Sequence, residues 1–98
     1  MKIFVKKFGN VLTSRQSGRE AYAAFRMTLN ELSKNDELIL NFEDVDVLSP
    51  SWADEFLTPL LQDLGQRLSL THTENASVKL TIEVLEGILK RMFIVRPD

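Results

Sequence analysis

"LILNFEDVDVLSPSWADEF", residues 38–56, is the stretch whose reading decides the fold. Its first part is apolar on both parities, with Leu38, Leu40 and Phe42 on one and Ile39 on the other. A strand covered on both faces reads that way, because neither side of its pleat meets water. Glu43-Asp44 turns the chain, and "VDVL" is a second short extended piece. From Pro50 onward the period changes. Ala53, Phe56, Leu57, Leu60, Leu61 and Leu64 recur at three and four residues, the buried stripe of an amphipathic helix. Gly65 stands where a C-terminal cap belongs. Pro59 lies inside the helix and cannot donate its hydrogen bond, so a kink or a break is expected there.

Towards the N-terminus, "KIFVKKF" reads as a short strand, Gly9-Asn10 as a turn and "VLT" as a very short second strand. Residues 14–36, "SRQSGREAYAAFRMTLNELSKND", carry Tyr22, Phe25, Leu29 and Leu32 at helical spacing. Ser14 or Ser17 can cap this helix. Gly18 costs about 1 kcal/mol against Ala inside a helix, which favours a start near Ser17. Towards the C-terminus, "LSLTHT" alternates Leu68, Leu70 and His72 against polar residues, a strand with one wet face. "ENASVKLTIEVLEGILKRM" is a third helix with Val78, Ile82, Leu85, Leu89 and Met92 inward. "FIVR" is read either as a final strand or as an apolar tail that needs a partner. Strands alternating with helices predict an α/β fold, a mostly parallel sheet of four or five strands flanked by about three helices. No linker, repeat or low-complexity tract divides the chain, so residues 1–98 are read as a single domain.

The chain has 98 residues, 44% of them apolar, a net charge of −2, one histidine and no cysteine. Disulfides and thiolate metal sites are excluded, and a net acidic chain argues against general nucleic-acid binding. No signal peptide and no apolar run long enough to span a bilayer is present in the sequence, so a soluble, cytoplasmic protein without a membrane partner is expected. Charge is unevenly spread. Residues 1–30 hold Lys2, Lys6, Lys7, Arg15, Arg19 and Arg26 against Glu20 alone, whereas residues 31–63 hold nine acids and only Lys34.

The junction at 49–55 invites two readings. Ser49 as N-cap with Pro50 at the first helical position is a favoured pair, because proline lacks the N–H that would go unpaired anyway. Asp54 and Glu55 then fall where the helix dipole favours negative charge. On that reading the junction only starts a helix. Ser51, however, is then the second helical residue, with its hydroxyl at the helix mouth. A phosphate there would meet free N–H groups and would add about −1.5 to −2 charges near Asp54, Glu55 and Asp46. The helix tolerates that charge, whereas a partner docked on the same edge does not. Trp52 reads equally as a core lid or as a partner anchor. Arg15 and Arg19, at the start of the first helix, are expected to pair with acids of a partner or of the 43–55 edge, and Arg15 above all, since cations are disfavoured by the dipole where it stands.

These pieces resemble the STAS-like domains, relatives of bacterial anti-sigma-factor antagonists. The matching stretches are "FGNVLTSRQSGREA" at 8–21 and "LILNFEDVDVLSPSWADEF" at 38–56. Gly9, Val11 and Leu12 fit the family's Gly-x-Leu strand. Phe42, Glu43, Asp44 and Val45 fit its acidic turn, and Ser49-Pro50-Ser51-Trp52 stands in its serine-bearing loop. The resemblance implies a four- to five-stranded sheet flanked by helices. It also implies a protein partner, often a histidine-kinase-like ATPase that phosphorylates the loop serine, carried over here to Ser51. The loop departs from the family in having Ser49 for an acid, Pro50 for a first serine and Trp52 for a glycine. A kinase must therefore accept a large ring beside the hydroxyl. The candidate partner surface is Ser49, Trp52, Asp54, Glu55, Asp46 and Arg15, with Ser51 as phosphoacceptor.

Two rival readings remain. Glu43, Asp44, Asp46, Asp54 and Glu55 can be imagined on one edge holding Mg²⁺ for an enzyme. His72 is the only histidine, no Gly-x-Ser-x-Gly elbow surrounds either serine and no phosphate-loop signature is present. No catalytic residue, metal or cofactor is therefore assigned. The other reading is an assembly module, a homodimer paired through "MFIV" at 92–95.

Overall fold

The computed structural model describes residues 1–97. Three βα steps build it. β1 (Lys2–Phe4) passes through a 3₁₀ turn (Val5–Phe8) and β2 (Val11–Leu12) into α1 (Arg15–Leu29). β3 (Leu38–Asn41) is followed by β4 (Val47–Leu48) and α2 (Pro50–Leu64). β5 (Leu68–Thr71) leads to α3 (Ala76–Leu89) and then β6 (Ile94–Val95). A four-stranded sheet runs in the order β1-β3-β5-β6, all parallel, and β2 pairs with β4, also parallel, as a separate ribbon. This is the mostly parallel α/β architecture expected from the sequence.

Strands added in one direction with right-handed crossovers put all three helices on one face of the sheet. α1 packs on α2 and α2 on α3. The core therefore lies between that helix layer and the row Leu38, Leu40, Leu68 and Leu70, all buried. The reading of residues 38–42 as a strand covered by packing on both faces is corrected here. Ile39 lies in register with Lys2 and Ser69, on the side away from the helices, and is only half-buried. On that side Arg96 forms an ion pair with Glu37.

Local chemistry explains most boundaries. Ser14 caps α1 by accepting from Ser17 N at 2.9 Å. The helix thus starts at Arg15, not near Ser17, and Gly18 sits inside its first turn. A Cβ on Gly18 would lie 2.5 Å from the carbonyl oxygen of Trp52, so only glycine lets the two helices approach this closely. Asn75 caps α3 through Ser77 N and Val78 N. α2 runs unbroken through Pro59 and ends at Gly65, whose φ of 55° is open mainly to glycine. Two further expectations are corrected. All four residues of β5 are buried, because Ser69 and Thr71 lie between β3 and β6, so no face of this strand is wet. Met92 is 73% exposed, because Lys90 takes a left-handed conformation and ends α3 before the stripe reaches it.

Candidate functional site

The junction before α2 is held from three sides. Leu48 N donates to Ser77 Oγ at 3.0 Å, and the Leu48 carbonyl accepts from Thr81 Oγ1 at 2.5 Å, both on α3. Ser49 N donates to the Leu12 carbonyl at 2.9 Å. The Ser49 hydroxyl donates to the Thr13 carbonyl at 2.7 Å while accepting from Trp52 N at 3.2 Å. Ser49 is therefore the N-cap of α2, and its oxygen is fully committed to joining β2, β4 and the helix. Pro50 takes the first helical position, as its missing N–H allows.

Ser51 differs. It is half-buried, lies in the first turn of α2 and has no side-chain hydrogen-bond partner among the described residues. Its neighbours on the same helical face are Asp54, Glu55 and Thr58, three, four and seven residues on. Those three are all engaged. Asp54 accepts from Arg15 Nη1 at 2.9 Å and from Thr58 Oγ1 at 2.8 Å. Glu55 Oε1 accepts from Arg15 Nη1 at 3.3 Å and from Arg19 Nη2 at 3.2 Å. The hydrogen bond from Arg15, followed by that from Thr58, holds the Asp54 carboxyl below the usual carboxylate range. The same contacts, Asp54 first, raise the Arg15 guanidinium. Arg15 thus pairs with acids of its own chain, which meets the expectation drawn from its position at a helix start.

Trp52 needs correction as a partner-binding candidate. It is wholly buried, stacked on Phe56 with ring centroids 4.9 Å apart and tilted against Phe8 at 6.1 Å. Its place one residue after Ser51 turns it about 100° around the helix, into the core. A docked partner does not reach it, and its ring does not obstruct approach to the Ser51 hydroxyl. Asp46 also falls outside the group. Its carboxylate accepts from Asn10 at 3.3 Å and its carbonyl from Asn75 at 3.3 Å, ahead of β4. Asp44 pairs with Lys6, and Glu43 lies 3.4 Å from His72. Of the five acids only Asp54 and Glu55 share a partner, Arg15, and no group of three or more that could hold a metal ion occurs among the described residues. Arg19, read with Arg15 as a cation that pairs with acids of the 43–55 edge, does so through Glu55. Thr58 was not singled out from the sequence; it lies four residues from Asp54, which was, and that helical spacing is the signal that would have found it.

The geometry defines an α/β domain whose polar cluster gathers at the starts of two helices. The chain belongs to the STAS-like domain family: residues 24–78, more than half of its length, match the family described as a STAS-like domain of unknown function. The match includes the C-terminal part of α1, all of β3, β4, α2 and β5, and the start of α3. Domains of this kind are in general non-enzymatic. No curated protein and no solved structure matches the chain. Among the described residues, no helix is long and apolar enough to cross a membrane.

Proposed function

We propose that this chain is a regulatory protein-interaction module of the anti-sigma-factor-antagonist kind, switched by phosphorylation of Ser51 by a histidine-kinase-like ATPase. One observation carries the reading. The Ser51 hydroxyl is unpartnered at the mouth of α2, while the hydroxyls of Ser49 and Thr58 and the charges of Arg15, Asp54 and Glu55 are all engaged. A hydroxyl with no structural duty can be modified without loss of the fold. The α2 mouth, with the Arg15–Asp54–Glu55 cluster beside it, is the docking rim of this reading. A phosphate there turns a balanced rim negative. Partner capture from the native host with the wild-type chain, Ser51→Ala and Ser51→Asp tests it. The expected result is that Ser51→Asp loses or exchanges a partner that Ser51→Ala keeps. Identical partners for all three chains contradict the switch.

A second reading, self-association, is favoured by α3. Leu80 is 63%, Val84 38% and Ile88 67% exposed, and at successive spacings of four residues they form one exposed apolar stripe along the helix. A groove of about 340 Å³ between α3 and β6, lined by Ile82, Met92, Phe93 and Val95, adjoins that helix. Edge pairing through β6 alone has little to offer, since the strand has two residues and Pro97 beyond it lacks an N–H. Sedimentation of the whole chain against Leu80→Glu and Ile88→Glu decides this reading. A mass that rises with concentration in the wild type and not in the variants supports it, and a monomer throughout removes it.

A further inference from the structure

We infer that Arg15 is the intramolecular receiver of a phosphate on Ser51, and that receiving it undoes the bridge from Arg15 to Asp54 and Glu55. The inference rests on the phospho-switch reading above and adds how the switch is felt inside the chain.

The geometry begins with helix periodicity. At about 100° per residue, Ser51 projects between Asp54 and Glu55 on α2, one turn nearer the N-terminus. Residues at these spacings have Cβ atoms about 5–6 Å apart. A single nitrogen, Arg15 Nη1, bonds both carboxylates and so stands astride the line that leads to Ser51. The first turns of α1 and α2 are locked side by side, because Gly18 leaves no room for a side chain above the Trp52 carbonyl. Arg15, three residues before Gly18, is therefore held within reach of the first turn of α2 and cannot drift away with its helix.

Charge gives the direction. α1 contributes Arg15 and Arg19 to this place, α2 contributes Asp54 and Glu55, and β2 and β4 contribute no charged residue. The cluster is balanced at two cations and two anions. Phosphorylation forms a bond between Ser51 Oγ and the γ-phosphorus of ATP, breaks the β–γ bridge, releases ADP and passes the hydroxyl proton to a base of the kinase or to water. The product brings about −1.5 to −2 charges and three acceptor oxygens. A guanidinium binds such a group through two parallel charge-assisted bonds, which a carboxylate oxygen held by one nitrogen does not match. Arg15 then moves up one turn to the phosphate. Arg19 stays on Glu55, and Asp54 keeps Thr58 alone. The rim passes from balanced to strongly negative, with the Asp54 carboxylate uncovered beside the phosphate.

The test uses the full chain with phosphoserine genetically encoded at position 51, so no kinase is needed. The second ionisation of the phosphate is followed by ³¹P NMR. Its midpoint is expected to lie about half a unit or more lower in the wild-type background than in Arg15→Ala. Arg15→Lys falls between them, Arg19→Ala shows a smaller change and all differences shrink as salt is raised. In the wild-type background, the Arg15 Nε–H resonance moves on phosphorylation and the Asp54 carboxyl titrates closer to its ordinary range. Equal ³¹P midpoints with and without the Arg15→Ala substitution, or an Arg15 resonance indifferent to the phosphate, overturn the inference. The wild-type resonance decides the matter even if a variant folds poorly. A receiver that works in a chain whose Ser51 variants all keep the same partners defeats the switch reading alone, and the opposite pair of results defeats only the receiver.

Discussion

The two faces of α2 divide the labour of this molecule. The inner face is Trp52, Ala53, Phe56, Leu57 and Leu60, none of them accessible to solvent. The outer face is Ser51, Asp54, Glu55 and Thr58, half-buried and polar. The inner face is bound to the fold through dispersion and desolvation, so any change in volume there is felt by the whole domain. The outer face is bound to α1 through a few charged contacts at the surface, where each is screened and individually weak. Function placed on the outer face can vary, and be modified, at little cost to folding. Ser49 and Ser51 show the same division two residues apart, one hydroxyl tied to two backbone groups and the other tied to none.

The contrast can be broken most severely from the inside. Trp52→Ala removes the largest fully buried side chain and is expected to cost about 3–5 kcal/mol, seen as a lower midpoint in denaturant. That is a large share of the roughly 5–15 kcal/mol of a typical domain. A Trp52→Ala chain of wild-type stability would show that the inner face is not the core. Gly18→Ala is next. In an ordinary helix interior the change gains about 1 kcal/mol. Here the added methyl meets the Trp52 carbonyl, so α1 and α2 must part and a loss of about 1–3 kcal/mol is expected instead. A stabilised Gly18→Ala chain contradicts the close crossing that holds Arg15 in place.

The serine pair sharpens the comparison. Ser49→Ala is expected to cost about 1 kcal/mol, the ordinary worth of an N-cap. Ser51→Ala is expected to stay within about 0.5 kcal/mol of wild type. Equal losses at the two sites would mean that Ser51 carries structural duty after all. The smallest effect is electrostatic. The folded Asp54 carboxyl lies below its unfolded value of about 3.9 because Arg15, then Thr58, bond its charged form. Its contribution is therefore fully present above the unfolded value and is lost as pH falls through the folded one. Stability of wild type and Asp54→Asn should converge at the acid end, and the gap above about pH 4 should shrink with salt, since the side chain is more than a third exposed. A gap that widens on acidification has the wrong sign for this account.

Local signals made much of this legible. The Ser49-Pro50 cap, the α2 stripe and the Gly65 stop are each written within a few residues, and each appears as read. What depends on distant chain does not appear locally. Arg15 and its partners are 39 and 40 residues apart, so the sequence could say that Arg15 needed acids but not which. Gly18 looked like a place to begin a helix, because its real constraint is a carbonyl on another helix. Trp52 looked ambiguous because a first-turn position is surface or core only according to the helix's rotation against its neighbours. Ser69 and Thr71 looked wet by type, and their burial comes from the strands on either side.

The central claim is that Ser51 carries the switch on a hydroxyl the fold does not need. Intact-mass analysis of the chain after exposure to its cognate kinase and ATP tests it most directly, with Ser51→Ala alongside. The account predicts a gain of one phosphate on wild type, mapped to Ser51, no gain on a folded Ser51→Ala chain and a thermal midpoint unchanged between the two. A phosphate that arrives equally on Ser51→Ala, or a Ser51→Ala chain that no longer folds, would contradict it.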